Sequence, residues 1–205
     1  MMKMSKPFLK WAGGKYRLAD KLIPFLPGEF TSSKNTYIEP MVGSGGFFFK
    51  YAPKHAYLSD INQSLITTYN VIKNDVNSLI THLKQHKDLH NKEYFYKQRD
   101  LFNELIKKGD NHLNIASLLI YLNRTCFNGL YRENSKGEFN VPKGKYKKPL
   151  ICDAQNLLLV NKTLQSVDIQ CHGYEKIKPK KGDLIYFDPP YLPLGETSFT
   201  KYSSE

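Results

Sequence analysis

The amino-acid sequence predicts an α/β domain with a parallel sheet that is interrupted by a helical insertion. The first observation is a set of short runs rich in β-branched and aromatic residues. Each run ends in a polar residue at the start of a loop, as buried parallel strands do. The runs are Thr36–Glu39, Ala56–Ser59, Val167–His172 and Leu184–Asp188. The second observation is a long stretch of helical periodicity between the second and third runs, so both parts of the chain supply the sheet.

The helical stretch divides into several segments. Apolar residues lie on one stripe of a helix that begins at about Gln63 and continues to about Leu83. Further helices are predicted at Glu93–Lys108, Leu113–Asn123 and Asp153–Leu164.

Between the last two of these helices the composition changes. Residues 126–149 are rich in glycine, asparagine and lysine, which predicts a loop or hairpin region. We therefore predict two structural units. Residues 62–150 form the helical insertion, and residues 1–61 and 151–205 together form the α/β domain.

The charge of the chain is strongly positive. It contains 30 Lys and Arg residues against 19 Asp and Glu residues, which gives a net charge of +11. Such an excess favours a polyanionic partner, although a protein that is merely basic would have the same composition.

The sequence also argues against several classes of protein. The three cysteines form no CxxC pair and predict reduced thiols rather than disulfides or a zinc site. We interpret His82, His86 and His90, which recur every four residues, as a solvated helix face rather than a metal site. No apolar run is long enough to span a bilayer, and the first ten residues lack the apolar stretch of a secretory signal. We therefore expect a cytoplasmic protein without a metal or a membrane partner.

A glycine-rich turn follows the first predicted strand in the segment YIEPMVGSGGFF, residues 37–48. Asp60 closes the next strand, seventeen positions after Gly43. Glycines let the backbone approach a ligand, and a carboxylate at the tip of the second strand accepts from ribose hydroxyls. The dinucleotide fingerprint GxGxxG is not met, because Phe48 stands at its third glycine. The pattern predicts an adenosine-binding crevice, and a plain turn is the alternative. Its candidate residues are Glu39, Pro40, Gly43, Gly45 and Asp60.

The most specific motif is Asp188-Pro189-Pro190-Tyr191, which ends the apolar run LIYFD. Two consecutive prolines cannot continue a hydrogen-bonded strand, so the strand stops there and the motif lines the carboxyl edge of the sheet. A structural turn needs only one proline, and it has no use for a carboxylate and an aromatic ring beside it. These four residues are the candidate catalytic residues.

Five motifs together resemble the Dam family of adenine-N6 DNA methyltransferases. They are KWAGGK at 10–15, EPMVGSGG at 39–46, LSDIN at 58–62, FNGLYRENSKGEFNVPKGKYKKP at 127–149 and YFDPPY at 186–191. The resemblance implies a Rossmann-like S-adenosylmethionine-dependent methyltransferase sheet with a target-recognition insertion. It also implies that Trp11, Lys15, Asp60 and Asp188 contact S-adenosylmethionine, and that residues 188–191 form the catalytic pocket.

The chemistry of adenine methylation accounts for the residue types in this motif. The exocyclic amine of adenine is a poor nucleophile, because its lone pair is delocalised into the ring. Acceptors aimed at its protons localise that lone pair, and Asp188 and the carbonyl of Pro189 can supply two of them. Tyr191 offers a stacking face for a flipped base. Methylation of a cytosine ring would instead need a cysteine nucleophile, usually after a proline, and no cysteine in this chain follows one.

The loop between Arg132 and Lys148 predicts a DNA interface. Six cations oppose two glutamates there, which suits a segment that follows phosphates, although a solvated loop is the alternative. In proteins that this chain resembles, the FNGLYR hairpin enters the DNA. By that resemblance Arg132 reads a guanine, and Leu130 and Pro142 touch a thymine methyl group. The other expected DNA contacts are Asn128, Lys145, Tyr146, Lys147 and Lys148. We infer GATC in double-stranded DNA as the target.

The end of the chain raises an alternative. Glu205 follows soon after the catalytic motif, whereas similar proteins continue through further strands. We therefore expect the C-terminal strands to be missing, and a catalytically inactive DNA-binding remnant is the rival interpretation. A methyltransferase that acts on cytosine N4 is a third interpretation, which the FNGLYR segment disfavours. A cognate restriction endonuclease is a possible further partner.

Overall fold

A computed structural model describes residues 4–28, 30 and 33–189 of the chain. The described part contains a sheet of four parallel strands, in the order β3-β2-β1-β4. The strands are β1 (Tyr37–Pro40), β2 (Ala56–Asp60), β3 (Val167–Cys171) and β4 (Leu184–Ile185). The predicted α/β fold with a parallel sheet is confirmed.

The strand order determines which loops meet at the carboxyl edge of the sheet. β1 lies between β2 and β4, so the turn after β1 is flanked by the carboxyl ends of these two neighbouring strands. The run predicted to continue as a strand to Asp188 is shorter than expected. β4 ends at Ile185, and one further ladder bond joins Tyr186 N to Ile38 O at 2.9 Å. Beyond it the chain leaves the sheet, and Pro189 has no N–H to continue the ladder.

Seven α-helices lie in the described part. They are α1 (Ala19–Leu22), α2 (Gly46–Tyr51), α3 (Gln63–Asn74), α4 (Val76–Leu89), α5 (Lys92–Lys108), α6 (His112–Thr125) and α7 (Ala154–Leu164). The single helix predicted from Gln63 to Leu83 is wrong, because it breaks between α3 and α4. Asp75 has non-helical angles of φ −147° and ψ 54°, and its side chain accepts from Ser78 N to cap α4.

Most of the longer helices pack around α3 and α6. Helix α3 contacts β2, β3, α6 and α7, while α4 and α5 pack on α6. α6 is buried over most of its length, from Ile115 to Asn123. The division into residues 62–150 and the two flanking segments stays a prediction. None of the helices in the described residues is long and apolar enough to cross a membrane.

The interpretation of the three histidines as a solvated face is wrong for His86. Its side chain is buried between α4 and α6, and its ring stacks on Tyr121 with 4.9 Å between ring centroids. His86 Nδ1 lies 2.8 Å from the hydroxyl of Tyr94. Burial lowers the pKa of His86 to about 4, so the ring is neutral near neutral pH. Hydrogen bonds inside the helical bundle replace the water that the periodicity suggested.

Candidate active site and DNA interface

The turn after β1 forms a tight glycine loop at the carboxyl edge of the sheet. Gly43 and Gly45 have positive φ angles of 49° and 65°, a conformation that glycine adopts with little steric cost. Gly45 N donates to Val42 O at 2.7 Å, and Val42 N donates to Ser59 O on β2 at 3.0 Å. The loop is therefore fixed by its own backbone and by the neighbouring strand.

The KWAGGK segment, residues 10–15, packs directly on this glycine loop. A Cβ atom on Gly43 would lie 2.8 Å from Cδ1 of Trp11, and one on Gly46 would lie 2.9 Å from Lys15 N. Neither position has room for a side chain. The glycines therefore bring another segment of the chain against the loop, a close approach that sequence reasoning assigned to the ligand alone.

Asp60 ends β2, and its carboxylate holds the glycine loop. Its Oδ2 accepts from Gly43 N at 3.0 Å, and its Oδ1 accepts from Asn62 N at 3.0 Å. Burial raises the pKa of Asp60, and hydrogen bonds from backbone N–H groups oppose that shift. An ionised carboxylate has about four acceptor sites, so Asp60 retains capacity to accept from ligand hydroxyls.

Lys15 and Asp188 form an ion pair beside the loop. The Nζ atom lies 2.5 Å from Oδ1 and 2.6 Å from Oδ2, and it also donates to Gly13 O at 2.7 Å. The Lys15 side chain is 14% exposed and that of Asp188 is 24% exposed, so water screens the pair less than it screens a surface pair. The structure thus brings together two predicted site residues from opposite ends of the described chain. Pro189 follows them in an exposed position, whereas Pro190 and Tyr191 lie outside the described residues.

Glu39 and Pro40 are buried beneath the loop at the end of β1. Glu39 Oε2 accepts from the hydroxyl of Tyr37 at 2.6 Å. Burial raises the pKa of Glu39 to about 8, and the nearby charge of Asp188 raises it further, while the hydrogen bond from Tyr37 opposes the shift. Glu39 therefore carries a proton over much of the neutral range, and its buried carboxyl group lies beneath the glycine loop.

This shift predicts how stability depends on pH. Because the pKa of Glu39 is higher in the folded than in the unfolded state, folding is favoured below its unfolded pKa, and this contribution is lost as pH rises through about 8. Glu39→Gln keeps the shape without the ionisation. As pH rises from about 5 to about 9, we expect the free energy of unfolding of the variant to increase relative to that of the parent protein. The expected relative increase is on the order of 1–4 kcal/mol. Urea unfolding at these pH values measures the difference, with the exposed Glu93→Gln as the control. Parallel curves for parent and Glu39→Gln would contradict the shift.

Residues 126–144 form a hairpin that follows α6, hereafter the recognition hairpin. Antiparallel bridges pair Cys126 with Lys143 and Glu133 with Phe139. Lys107 on α5 forms an ion pair with Glu138 at 2.5 Å, and this contact helps to attach one arm to the helical bundle. The predicted hairpin region is confirmed, and it is joined to the rest of the protein by specific contacts.

Most of the predicted DNA contacts lie on the surface of this region. Six of the eight are exposed, namely Asn128, Arg132, Pro142, Lys145, Lys147 and Lys148. The other two, Leu130 and Tyr146, are half-buried. Arg132 Nε donates to Asn140 Oδ1 at 2.8 Å, a bond that directs the guanidinium across the hairpin. The Tyr146 hydroxyl accepts from Lys10 Nζ at 3.1 Å, which joins residues 145–148, hereafter the basic loop, to the KWAGGK segment.

Sequence reasoning missed Asn123, which connects these parts. Its side chain is 1% exposed, and Nδ2 donates to Lys10 O at 2.8 Å and to Gly129 O at 2.9 Å. Its Oδ1 accepts from Lys10 N at 2.8 Å. One amide thus joins α6, the KWAGGK segment and the turn of the hairpin. A lone amide in the otherwise apolar run LLIYLN was the available signal, because buried polar groups need partners.

Comparison with known proteins defines the family. Residues 11–205 match the family described as D12 class N6 adenine-specific DNA methyltransferase. The chain belongs to this family. It is 45% identical over 213 residues to the type II methyltransferase M.MjaIII of Methanocaldococcus jannaschii, a match that covers 97% of this chain and 73% of the relative. It is 37% identical to the DNA adenine methylase of Escherichia coli, over 98% of this chain and 70% of the relative. The corresponding enzyme of Haemophilus influenzae is also 37% identical, over 97% of this chain and 68% of the relative.

The protein is therefore an adenine-specific DNA methyltransferase, and its substrate is DNA. For this methyltransferase the carboxyl edge of the sheet carries the candidate cofactor residues, and the recognition hairpin and the basic loop carry the candidate DNA contacts. Within the residues that the structure describes, no group of three or more His, Cys, Asp or Glu side chains could hold a metal ion.

Proposed function

We propose that this protein transfers a methyl group from S-adenosylmethionine to the N6 amine of an adenine flipped out of GATC in double-stranded DNA. One observation carries the proposal. The ion pair between Lys15 and Asp188 lies beside the glycine loop. The KWAGGK segment that supplies Lys15 is tied through Asn123 to the recognition hairpin. Groups for the cofactor, for the reacting amine and for DNA therefore occur in one connected part of the molecule.

The residues at the crevice fit an adenosine ligand. Asp60 retains capacity to accept from a ribose hydroxyl, and its position is fixed by backbone N–H groups of Gly43, Ile61 and Asn62. The absence of a side chain at Gly43 lets the indole of Trp11 pack directly on the glycine loop. Trp11 lies over the loop and supplies an aromatic face. S-adenosylmethionine, when bound, supplies an electrophilic methyl group on a sulfonium centre.

Asp188 activates the adenine amine in the proposed reaction. One carboxylate oxygen accepts a hydrogen bond from one N–H of the amine, and the carbonyl of Pro189 accepts a hydrogen bond from the other, which localises the nitrogen lone pair. Lys15 orients the carboxylate. Because the carboxylate has about four acceptor sites, it can accept from Lys15 and from the adenine amine at the same time. Tyr191 stacks on the flipped base in this proposal. In this single displacement the N–CH3 bond forms as the bond from the methyl group to sulfur breaks, and the amine then loses one proton to solvent. The step depends on positioning, and no residue forms a covalent intermediate.

The DNA is held by two kinds of contact. Arg132 reads a guanine edge in the major groove, and Leu130 and Pro142 touch a thymine methyl group. Asn128 holds the strand that the flipped base leaves open. Phosphate contacts come from the exposed basic loop, in which we include Lys145, Tyr146, Lys147 and Lys148. A cognate restriction endonuclease stays a prediction, and the type II name of the archaeal relative agrees with it.

A transfer assay tests this function. The chain is incubated with labelled cofactor and a duplex that carries one GATC, and the product nucleosides are separated. We expect N6-methyladenine in the GATC duplex and none in duplexes with a changed base. Specific DNA binding without any transfer would support the inactive remnant. Methylcytosine as the product would support an enzyme that acts on cytosine N4.

Asp60 offers a separate test of the cofactor assignment. Asp60→Ala removes the acceptor from the proposed ribose site, and we expect S-adenosylmethionine binding to weaken by about 1.5–3 kcal/mol. DNA affinity in the absence of cofactor should stay close to that of the parent protein. Titration calorimetry measures the first quantity, and the exposed Asp168→Ala on β3 is the control. An unchanged dissociation constant would mean that Asp60 only holds the glycine loop.

A further inference from the structure

Tyr131 joins the recognition hairpin to the glycine loop on one side. Its ring stacks on Trp11 with 5.3 Å between centroids and 21° between planes. Trp11 in turn lies so close to Gly43 that a Cβ atom there would meet the indole ring at 2.8 Å. The hairpin therefore rests, through two aromatic rings, on the loop that borders the proposed cofactor crevice.

A second connection runs from the same tyrosine to Asp60. The Tyr131 hydroxyl oxygen accepts a hydrogen bond from the side chain of Asn62, and it lies 3.3 Å from Ser64 Oγ. Asn62 caps α3, and its N–H donates to Asp60 Oδ1 at 3.0 Å. The other carboxylate oxygen of Asp60 accepts from Gly43 N, which lies under the indole ring. The two connections thus form a closed ring of contacts that begins and ends at Tyr131.

The position of Tyr131 in the hairpin connects this closed set of contacts to the proposed base-reading residue. The next residue is Arg132, which we propose to read a guanine, and the hydroxyl of Tyr131 also donates to Glu133 Oε1 at 2.5 Å. Burial raises the pKa of Tyr131, so the hydroxyl keeps its proton at neutral pH. On its other side the tyrosine ring packs against Phe139, with 5.7 Å between centroids. Tyr131 therefore holds both arms of the hairpin near the residue that recognises the base.

We propose that Tyr131 is a positioning residue that couples occupancy of the cofactor crevice to the orientation of the recognition hairpin. A ligand that contacts Trp11 and Asp60 restricts the motion of both connections that lead to Tyr131. The hairpin then loses less conformational freedom when DNA binds, because part of its ordering has already occurred. The coupling is reciprocal, so DNA should also tighten cofactor binding by the same factor. The inference rests on the proposed function for the identity of the two ligands.

The coupling is measured with ligands that do not react. S-adenosylhomocysteine replaces the cofactor, and binding of a GATC duplex to the full chain is followed by fluorescence anisotropy with and without it. We expect S-adenosylhomocysteine to tighten DNA binding by a factor of about 5–50 in the parent protein. In Tyr131→Leu this factor should fall to about 1, while the affinity for each ligand alone stays within about threefold of the parent value. Tyr131→Phe keeps the stack and loses the hydroxyl, so an intermediate factor is expected.

The control is Tyr96→Leu, which removes a half-buried tyrosine of α5 that packs on Phe95. It should keep the coupling of the parent protein. If Tyr131→Leu does not fold, as judged by thermal unfolding, Tyr131→Phe decides the question alone. An unchanged factor in either folded variant overturns the proposal, and so does the absence of coupling in the parent protein. Failure of the proposed function is distinguishable, because it appears as the absence of N6-methyladenine in the transfer assay.

Discussion

Asp188→Ala is expected to lower the rate of methyl transfer by about 10²–10³-fold and to leave specific DNA binding largely intact. The variant loses the acceptor that we propose to localise the lone pair of the adenine amine. It also removes the carboxylate that Lys15 contacts at 2.5 Å, although the hydrogen bond from Lys15 Nζ to Gly13 O remains. Single-turnover transfer with saturating cofactor and duplex measures the chemical step.

Two variants sharpen the interpretation of that experiment. Asp188→Asn keeps one acceptor oxygen without the charge, and it should retain more activity than alanine if hydrogen bonding is what matters. Asp168→Asn changes an exposed carboxylate on β3 and should behave as the parent protein. Near-normal turnover of Asp188→Ala, in a protein preparation where the parent is active, would contradict the assignment of Asp188 as the acceptor for the adenine amine.

Arg132→Ala should separate base recognition from phosphate binding. If Arg132 reads a guanine, the variant should lose about 1–3 kcal/mol on the cognate duplex and tolerate other bases at that position. Lys147→Ala is the matched comparison, because Lys147 is an exposed cation in the loop beyond the hairpin. If Lys147 contacts only phosphate, its variant should weaken binding to every duplex similarly and lower the salt slope by about one unit.

The measurement is a competition series on duplexes that carry each base change in GATC, repeated at several salt concentrations. The hydrogen bond between Arg132 Nε and Asn140 Oδ1 supplies a further variant. Asn140→Ala should reduce discrimination at the same base, because the guanidinium loses the contact that directs it. Equal losses on all duplexes for Arg132→Ala would make the hairpin a nonspecific clamp and remove the physical support for GATC.

Local sequence features predicted most of the fold. The parallel sheet follows from short apolar runs that end in polar residues. Two of the four predicted strands differ from the observed ones by one residue at one end, and a third differs by one residue at each end. The break at Asp75 was missed, because the apolar stripe continues across it and only the capping bond to Ser78 N reveals the new helix. Burial of His86 was missed for a similar reason, since its partners Tyr94 and Ser117 lie on other helices.

The site was predictable in location and less so in its connections. Asp60, Gly43 and Asp188 meet at one edge of the sheet, as residues that follow neighbouring parallel strands do, and Lys15, which was assigned by resemblance alone, joins them there. The stack of Trp11 on Tyr131 joins residues 120 positions apart, and no local pattern predicts such a contact. Asn123 and Lys10 are separated by 113 positions. The roles of these residues depend on tertiary packing, which periodicity and spacing do not encode.

The turn at Gly129 limits which hairpins could replace the recognition hairpin. A Cβ atom at this position would lie 2.3 Å from Cδ of Lys10, and the backbone has a φ of 65° that glycine tolerates best. The Gly129 carbonyl also accepts from Asn123 on α6. A hairpin grafted from a relative to redirect the target sequence would therefore have to bring a glycine at this turn and an asparagine on the preceding helix. Under the proposed function, a change of target sequence would require the transfer of the hairpin together with the residues that support it.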